Sequence, residues 1–267
     1  MNVDALISWF ETWAPPAWQE SWDNCGWQLE PSILSQPVGV LVCLTPTLTV
    51  MAEAVRLKEQ GAPVNLIFAH HPLIFEPLKS VAAGQPVADM LRLGIAYDIG
   101  IYSAHTNFDQ VADGTADVLA QLMGLTEPEP VVPTHDGLGY GRVGNLPQAA
   151  PLEDLLHQIK QLLAPRQLLH SPVGDTQQPI RRLAVLGGSG ASFLSAVADT
   201  GAQAYLTSDC KFHQFQESRD RNIILIDAGH YATERPACAR LVEIMQSQGV
   251  EWARLSEADE DFRQFSP

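Results

Sequence analysis

Cysteine is scarce in this sequence and nowhere clustered: Cys25, Cys43, Cys210 and Cys238 lie far apart, with no C-x-x-C pair among them. That argues against a zinc ribbon or a disulfide scaffold and fits a reducing, cytoplasmic setting. Basic residues are also few, 16 Lys and Arg against 31 Asp and Glu, for a formal net charge of −15. Without a basic stripe, a long nucleic-acid backbone is a poor partner. No apolar run approaches a membrane span, so we expect no membrane partner. Met1 to Pro15 carries acids and tryptophans in place of a basic n-region and long apolar core, so it does not read as a signal peptide. No short-period repeat is visible. What the chain does have is 46% hydrophobic residues over 267 positions, enough to bury the core of one large α/β domain or two lobes.

The apolar residues fall into strand-like and helix-like segments that alternate. Val3 to Thr12 has helical spacing, Ser21 to Glu30 is an aromatic-rich turn region, and its tryptophans suit core or interface packing. Val38 to Leu44 reads as a strand, and Thr47 to Gln60 as a helix that Gly61 stops. Leu66-Ile67-Phe68-Ala69 continues the strand of Val64 to Ala69 and ends abruptly in His70-His71-Pro72, where proline forbids an interior ladder. On an extended backbone those two imidazoles point to opposite sides and would serve two ions more easily than one. A helix from Pro86 to about Tyr97 leads to the strand Gly100 to Ala104, which runs into His105-Thr106-Asn107-Phe108-Asp109. Val118 to Met123 is helical.

Thr126 to Thr134, with three prolines and two acids, reads as a linker. We therefore expect a first α/β lobe over 1–126, joined by 231–267, and a second over 127–230. In the second lobe Leu138 to Leu146 is strand-like, Leu152 to Leu163 an amphipathic helix, and Ser171 to Pro179 a loop. Leu183 to Leu186, Ala204 to Thr207 and Ile223 to Ile226 are strands, with helices from about Ala191 and near Phe212 to Glu217 between them. The third strand ends in Asp227-Ala228-Gly229-His230, and Thr233-Glu234-Arg235-Pro236 reads as a helix start with Thr233 as its N-cap.

Three strand ends thus offer His70 and His71, Asp109, and His230 with Glu234. Three imidazoles and two carboxylates suit two divalent transition-metal ions, zinc, iron, manganese or cobalt, better than calcium or magnesium with their all-oxygen shells. Two dications against two carboxylates leave about two positive charges, enough to draw an anion to an acidic protein. Gly187-Gly188-Ser189-Gly190, with Asp209 downstream, has the outline of a dinucleotide fingerprint. Phe193 at the third glycine position would hinder helix packing, so a tight turn or amides lining a cleft is the better reading.

Ala69-His70-His71-Pro72-Leu73-Ile74-Phe75, Ser103-Ala104-His105-Thr106-Asn107-Phe108-Asp109 and Gly229-His230-Tyr231-Ala232-Thr233-Glu234 resemble the three signature blocks of the NIF-three-like proteins, also labelled GTP cyclohydrolase 1 type 2 homologues. Asp23-Asn24-Cys25-Gly26-Trp27-Gln28 and Thr207-Ser208-Asp209-Cys210-Lys211-Phe212-His213 resemble two further segments. The resemblance implies a two-lobed α/β/α subunit with a dinuclear metal site in the cleft between lobes, assembled as a homohexamer. Carried over by motif, the ligands are His70, His71, Asp109, His230 and Glu234, with Glu234 as the bridge. Thr45 departs from the pattern, standing where an acidic residue is expected.

His105, beside Asp109, could donate a hydrogen bond to the site or act as its general acid, or serve structure alone. Lys211 and His213 could face a substrate phosphate or be no more than cap and surface. His135, His157 and His170 read as surface. Two functions fit: a metal-dependent hydrolase of a nucleotide-like or phosphate-bearing anion, cyclohydrolase or phosphoesterase, and a non-catalytic metal-binding or regulatory assembly protein.

Overall fold

The structure, a computed structural model, describes residues 1–172 and 178–266. The chain divides into two compact α/β units, Met1–Phe108 with Cys238–Glu260, and Asp109–Ala237 with Asp261–Pro267. The first holds α1 (Val3–Trp13), β1 (Gly26–Leu29), β2 (Gly39–Cys43), α2 (Leu48–Glu59), β3 (Leu66–Ala69), α3 (Pro86–Tyr97) and β4 (Gly100–Ser103). The second opens with α4 (Thr115–Leu122), β5 (Thr126–Glu129), β6 (Val132–His135), β7 (Leu138–Tyr140), β8 (Arg142–Ala150) and α5 (Leu152–Leu163). It continues with β9 (Leu169–His170), β10 (Ile180–Val185), α6 (Leu194–Asp199), β11 (Ala204–Thr207), α7 (Phe212–Asp220) and β12 (Ile224–Asp227). Helix α8 (His230–Ser247) contributes residues to both units, and β13 (Trp252–Leu255) belongs to the first.

In the first unit the sheet order is β1-β4-β3-β2-β13, parallel except for β1. All residues of β2, β3 and β4 are buried, which explains why Leu66 to Ala69 reads as an unbroken apolar run and not as an alternation. On one face Phe10 of α1 packs edge-on against Phe68 and Tyr102, with ring centroids 4.9 and 5.9 Å apart. Each such buried aromatic or aliphatic side chain contributes about 1.5–3 kcal/mol by burial. On another part of the sheet, Leu41, Ile67 and Ile101 share a core cluster with Met51 and Met90 of α2 and α3. The register pairs Cys43 with Ala69 and Ala69 with Ser103, so three parallel strands stop at one edge.

The second unit repeats that logic. Its sheet runs β5-β8-β10-β11-β12-β9, with the central β10, β11 and β12 parallel. Leu183, Val185, Leu206 and Ile226 anchor one core cluster with α4 and α5, while Ala184, Tyr205 and Leu225 anchor another. Chain segments leaving the carboxyl ends of parallel strands are where α/β sheets place ligands.

Some readings of secondary structure need correction. The proline-rich segment from Thr126 forms edge strand β5 and then β6, with a register irregularity between Thr126 and Glu129, because an edge strand tolerates Pro128 where an interior one would not. Helix α8 begins at His230, so Thr233 is not its N-cap: the Thr233 hydroxyl lies 3.1 and 3.0 Å from the Gly229 and His230 carbonyls and bonds back to them. The expected helix after Gly190 begins as a 3-10 turn, Gly190–Phe193, before α6. Within the loop expected from Ser171 to Pro179, residues 173–177 lie outside the described ones.

Candidate metal centre

In the first unit the carboxyl ends of β3 and β4 gather three imidazoles. Backbone bonding persists past β3, with His70 N donating to the Cys43 carbonyl at 3.1 Å and His71 N to that of Leu44 at 2.8 Å. The chain then bends at His70 and His71, and the two rings come to 5.2 Å between centroids, tilted by 44°. The expectation that they point apart fails because that bend ends the pleat on which alternation depends. His105, leaving β4, lies 5.2 Å from the His70 ring and 5.5 Å from that of His71. One ligating atom of each of the three lies within 4.8 Å of the others, close enough to share an ion or flank a pair.

Each ring is gripped at the same nitrogen. His70 Nδ1 is 2.8 Å from the Ala104 carbonyl, which can only accept, so Nδ1 carries the proton and Nε2 is the nitrogen that could coordinate an ion. His71 Nδ1 is 2.8 Å from Thr45 Oγ1. His105 Nδ1 is 2.8 Å from Asp23 Oδ1. Burial alone would raise the Asp23 carboxyl, but hydrogen bonds from His105 and Thr106 outweigh it and hold the group well below the usual carboxylate range. Asp23 is therefore an anion at neutral pH. Cys25 beside it, pushed up to about 12 mainly by burial, stays a thiol and is a poor ligand until deprotonated.

In the second unit the turns after β10, β11 and β12 converge on His230 and Glu234. These two stand four residues apart on α8 and so share a face, with Nε2 2.8 Å from Glu234 Oε2. His230 Nδ1 is 2.6 Å from Asp209 Oδ2, the same Nδ1 grip again. Asp209 also accepts from Ser189 Oγ at 2.7 Å, and Arg263 Nη1 lies 3.5 Å away. The hydrogen bond from His230 holds the Asp209 carboxyl below its usual range. Burial would lower the His230 imidazolium, but the charges and hydrogen bonds of Glu234 and Asp209 prevail and raise it to about 10 in the metal-free chain.

Gly188 (φ +66°) is the cradle: a Cβ there would collide with Glu234 Oε1. Its amide donates to Thr233 Oγ1 at 3.0 Å, which ties the glycine turn to α8. The close approach that this glycine permits is to a side-chain carboxylate of α8. Asp109 is fixed by a different element, accepting from Thr115 Oγ1 at 2.6 Å. Lys211 and His213 are exposed at the start of α7.

Asp23 and Asp209, which orient His105 and His230, are the residues that motif reading missed as site residues. Both lie in segments already conspicuous, Asp23-Asn24-Cys25-Gly26 and Thr207-Ser208-Asp209-Cys210, but their partners are far away in sequence. Thr45 holds His71 by its hydroxyl, so the turn that departs from the acidic pattern keeps a hold on the ring. Imidazoles oriented at Nδ1, beside a buried carboxylate, fit divalent transition metal chemistry.

An α/β chain with histidine and glutamate clusters of this kind is a candidate metal protein. The chain belongs to the Duf34/NIF3 (NGG1p interacting factor 3) family, whose match covers residues 1–260. It is 66% identical over 265 residues, 99% of each chain, to a GTP cyclohydrolase 1 type 2 homolog of Nostoc sp.. It is 31% identical to the protein NIF3 homolog of Schizosaccharomyces pombe, over 88% of this chain and 87% of that one. Among solved structures it resembles reduced HcgD from Methanocaldococcus jannaschii, with TM-score 0.78 and 28% identity over 96% of this chain and 98% of that one. No described helix is long and apolar enough to cross a membrane.

Proposed function

We propose that the chain is a metal-dependent hydrolase of the cytoplasm that binds two divalent metal ions and acts on a nucleotide or another phosphate-bearing anion. His70, His71, Asp109, His230 and Glu234 hold the ions. The observation that carries this reading is the shared grip on Nδ1 in His70, His71, His105 and His230, which leaves Nε2 of each ring as the nitrogen for coordination or proton transfer. Two divalent ions there would supply Lewis acidity and positive charge for an anionic substrate.

The chain's own residues supply the rest. His105 and ionised Asp23 form an imidazole–carboxylate pair in which Asp23 holds the Nδ1 proton and leaves Nε2 to take up or deliver a proton at the reacting group. Asp209 does the equivalent orienting work for His230, and Gly188 leaves Glu234 its space. The chain's relatives carry a GTP cyclohydrolase label, which supports a nucleotide substrate; ring opening of GTP with formate release and phosphoester hydrolysis are the two reactions to distinguish. A homohexamer is the assembly that goes with this reading.

The family's description as an interacting factor favours a second reading, a non-catalytic metal-binding or regulatory assembly protein. Calorimetry with GTP and inorganic phosphate on metal-free and metal-loaded protein, followed by assays for formate and phosphate, separates the two. Metal-dependent binding with turnover supports the hydrolase. Binding without either product moves the assignment to the second reading.

A further inference from the structure

At the rim of the imidazole group stands an aromatic pair that nothing in the metal chemistry requires. Trp22 is 56% exposed and Phe75 is 55% exposed, and their rings lie 5.9 Å apart, tilted by 44°. The Trp22 ring also meets His105 edge-on at 6.0 Å. Large aromatics left this open forgo a substantial burial energy, and contiguous exposed apolar surface marks binding.

The pair is held in place. Trp22 sits on the turn Glu20–Asp23, closed by Asp23 N donating to the Glu20 carbonyl at 2.9 Å. One end of that turn is pinned by Glu20 N donating to Thr106 Oγ1 at 3.0 Å, the other by Asp23 accepting from Thr106 N and Oγ1. Asn24 Nδ2 donates to the Ile74 carbonyl at 2.6 Å, and Ile74 N donates to Gln28 Oε1 at 3.0 Å, so the backbone next to Phe75 is tied to the same turn. A fixed aromatic surface beside a proton-transferring imidazole is suited to stacking a flat ring, because every heteroaromatic ring has a π-face whatever its substituents. Two rings are also far short of the roughly 800 Å² per partner that a stable protein interface needs.

We infer that Trp22 and Phe75 form a stacking subsite for a planar heteroaromatic ring of the substrate, placed so that the ring's edge faces His105. This rests on the nucleotide reading above and deepens it: the ions and the phosphate set where the anion sits, and the aromatic pair selects a ligand that carries a base.

The test is calorimetry on the metal-loaded full chain with three probes: guanosine 5′-monophosphate, guanosine, and ribose 5-phosphate. The subsite predicts that the monophosphate binds more tightly than ribose 5-phosphate, and that Trp22→Leu weakens the monophosphate about tenfold while leaving ribose 5-phosphate unchanged. Phe75→Leu should act in the same direction. Metal content and light-scattering mass of both variants should match the parent. Guanosine binding without ribose 5-phosphate binding would uphold the subsite and sink the phosphate reading. The inference is overturned if the base adds nothing to affinity, if Trp22→Leu weakens both phosphates equally, or if it changes only the oligomer mass, which would make the pair a subunit contact.

Discussion

Thr45 Oγ1 lies 2.8 Å from His71 Nδ1, so a hydroxyl occupies the orienting position that a carboxylate fills at His105 and His230. A neutral partner fixes the ring without adding charge. Thr45→Val removes the grip while keeping the shape of the side chain. We expect metal affinity to fall by about 10–100-fold, read by competition with a chromogenic chelator. Thr45→Asp should retain the parent affinity or exceed it; a Thr45→Val protein that competes like the parent would show that His71 is oriented by something else.

Gly188 and Gly201 both have positive φ, +66° and +74°, but only Gly188 of the two faces the Glu234 carboxylate, since a Cβ at Gly201 meets nothing within 4 Å. Gly201→Ala should therefore cost about 1–2 kcal/mol of backbone strain and leave metal binding intact. Gly188→Ala should bear a comparable strain and also displace the Glu234 carboxylate, lowering metal content. Thermal unfolding of the metal-free proteins and elemental analysis of the loaded ones separate the two effects. Equal metal content in both variants would show that Glu234 has room to move without consequence.

The His230 imidazolium has a sign that can be checked. Its folded value of about 10 lies above the ordinary 6.5, so in the metal-free chain its contribution to stability is complete below about 6.5 and is lost as pH rises towards 10. His230→Gln should flatten that part of the metal-free stability profile. At pH 7.5 metal uptake at His230 would expel its proton, and calorimetry in buffers of different ionisation enthalpy should report the release. Uptake with no proton release would place the ion elsewhere.

The parts of this molecule that were legible in the sequence are those fixed by neighbours along the chain. Leu66 to Ala69 is apolar because both faces of β3 are buried, and Pro72 marks where the strand must stop, so His70 and His71 could be placed at a strand end without coordinates. Orientation was not legible. Adjacent histidines were expected to diverge, yet the bend after Ala69 swings both rings together. Thr233 has the composition of a cap, but Gly229 (φ +85°) turns the chain early and α8 starts at His230. Asp23 lies 82 residues from His105, and Asp209 lies 21 from His230, separations at which no local pattern reports a hydrogen bond.

The most direct test of the central claim is the metal content of the purified full chain beside His71→Ala and Glu234→Gln, measured by elemental analysis after equilibration with zinc, iron, manganese or cobalt and removal of free ion. The account predicts about two ions per chain in the parent, with a clear deficit in each variant. Variants that retain the parent's full content, or a parent that retains no ion of any of the four metals, would contradict it.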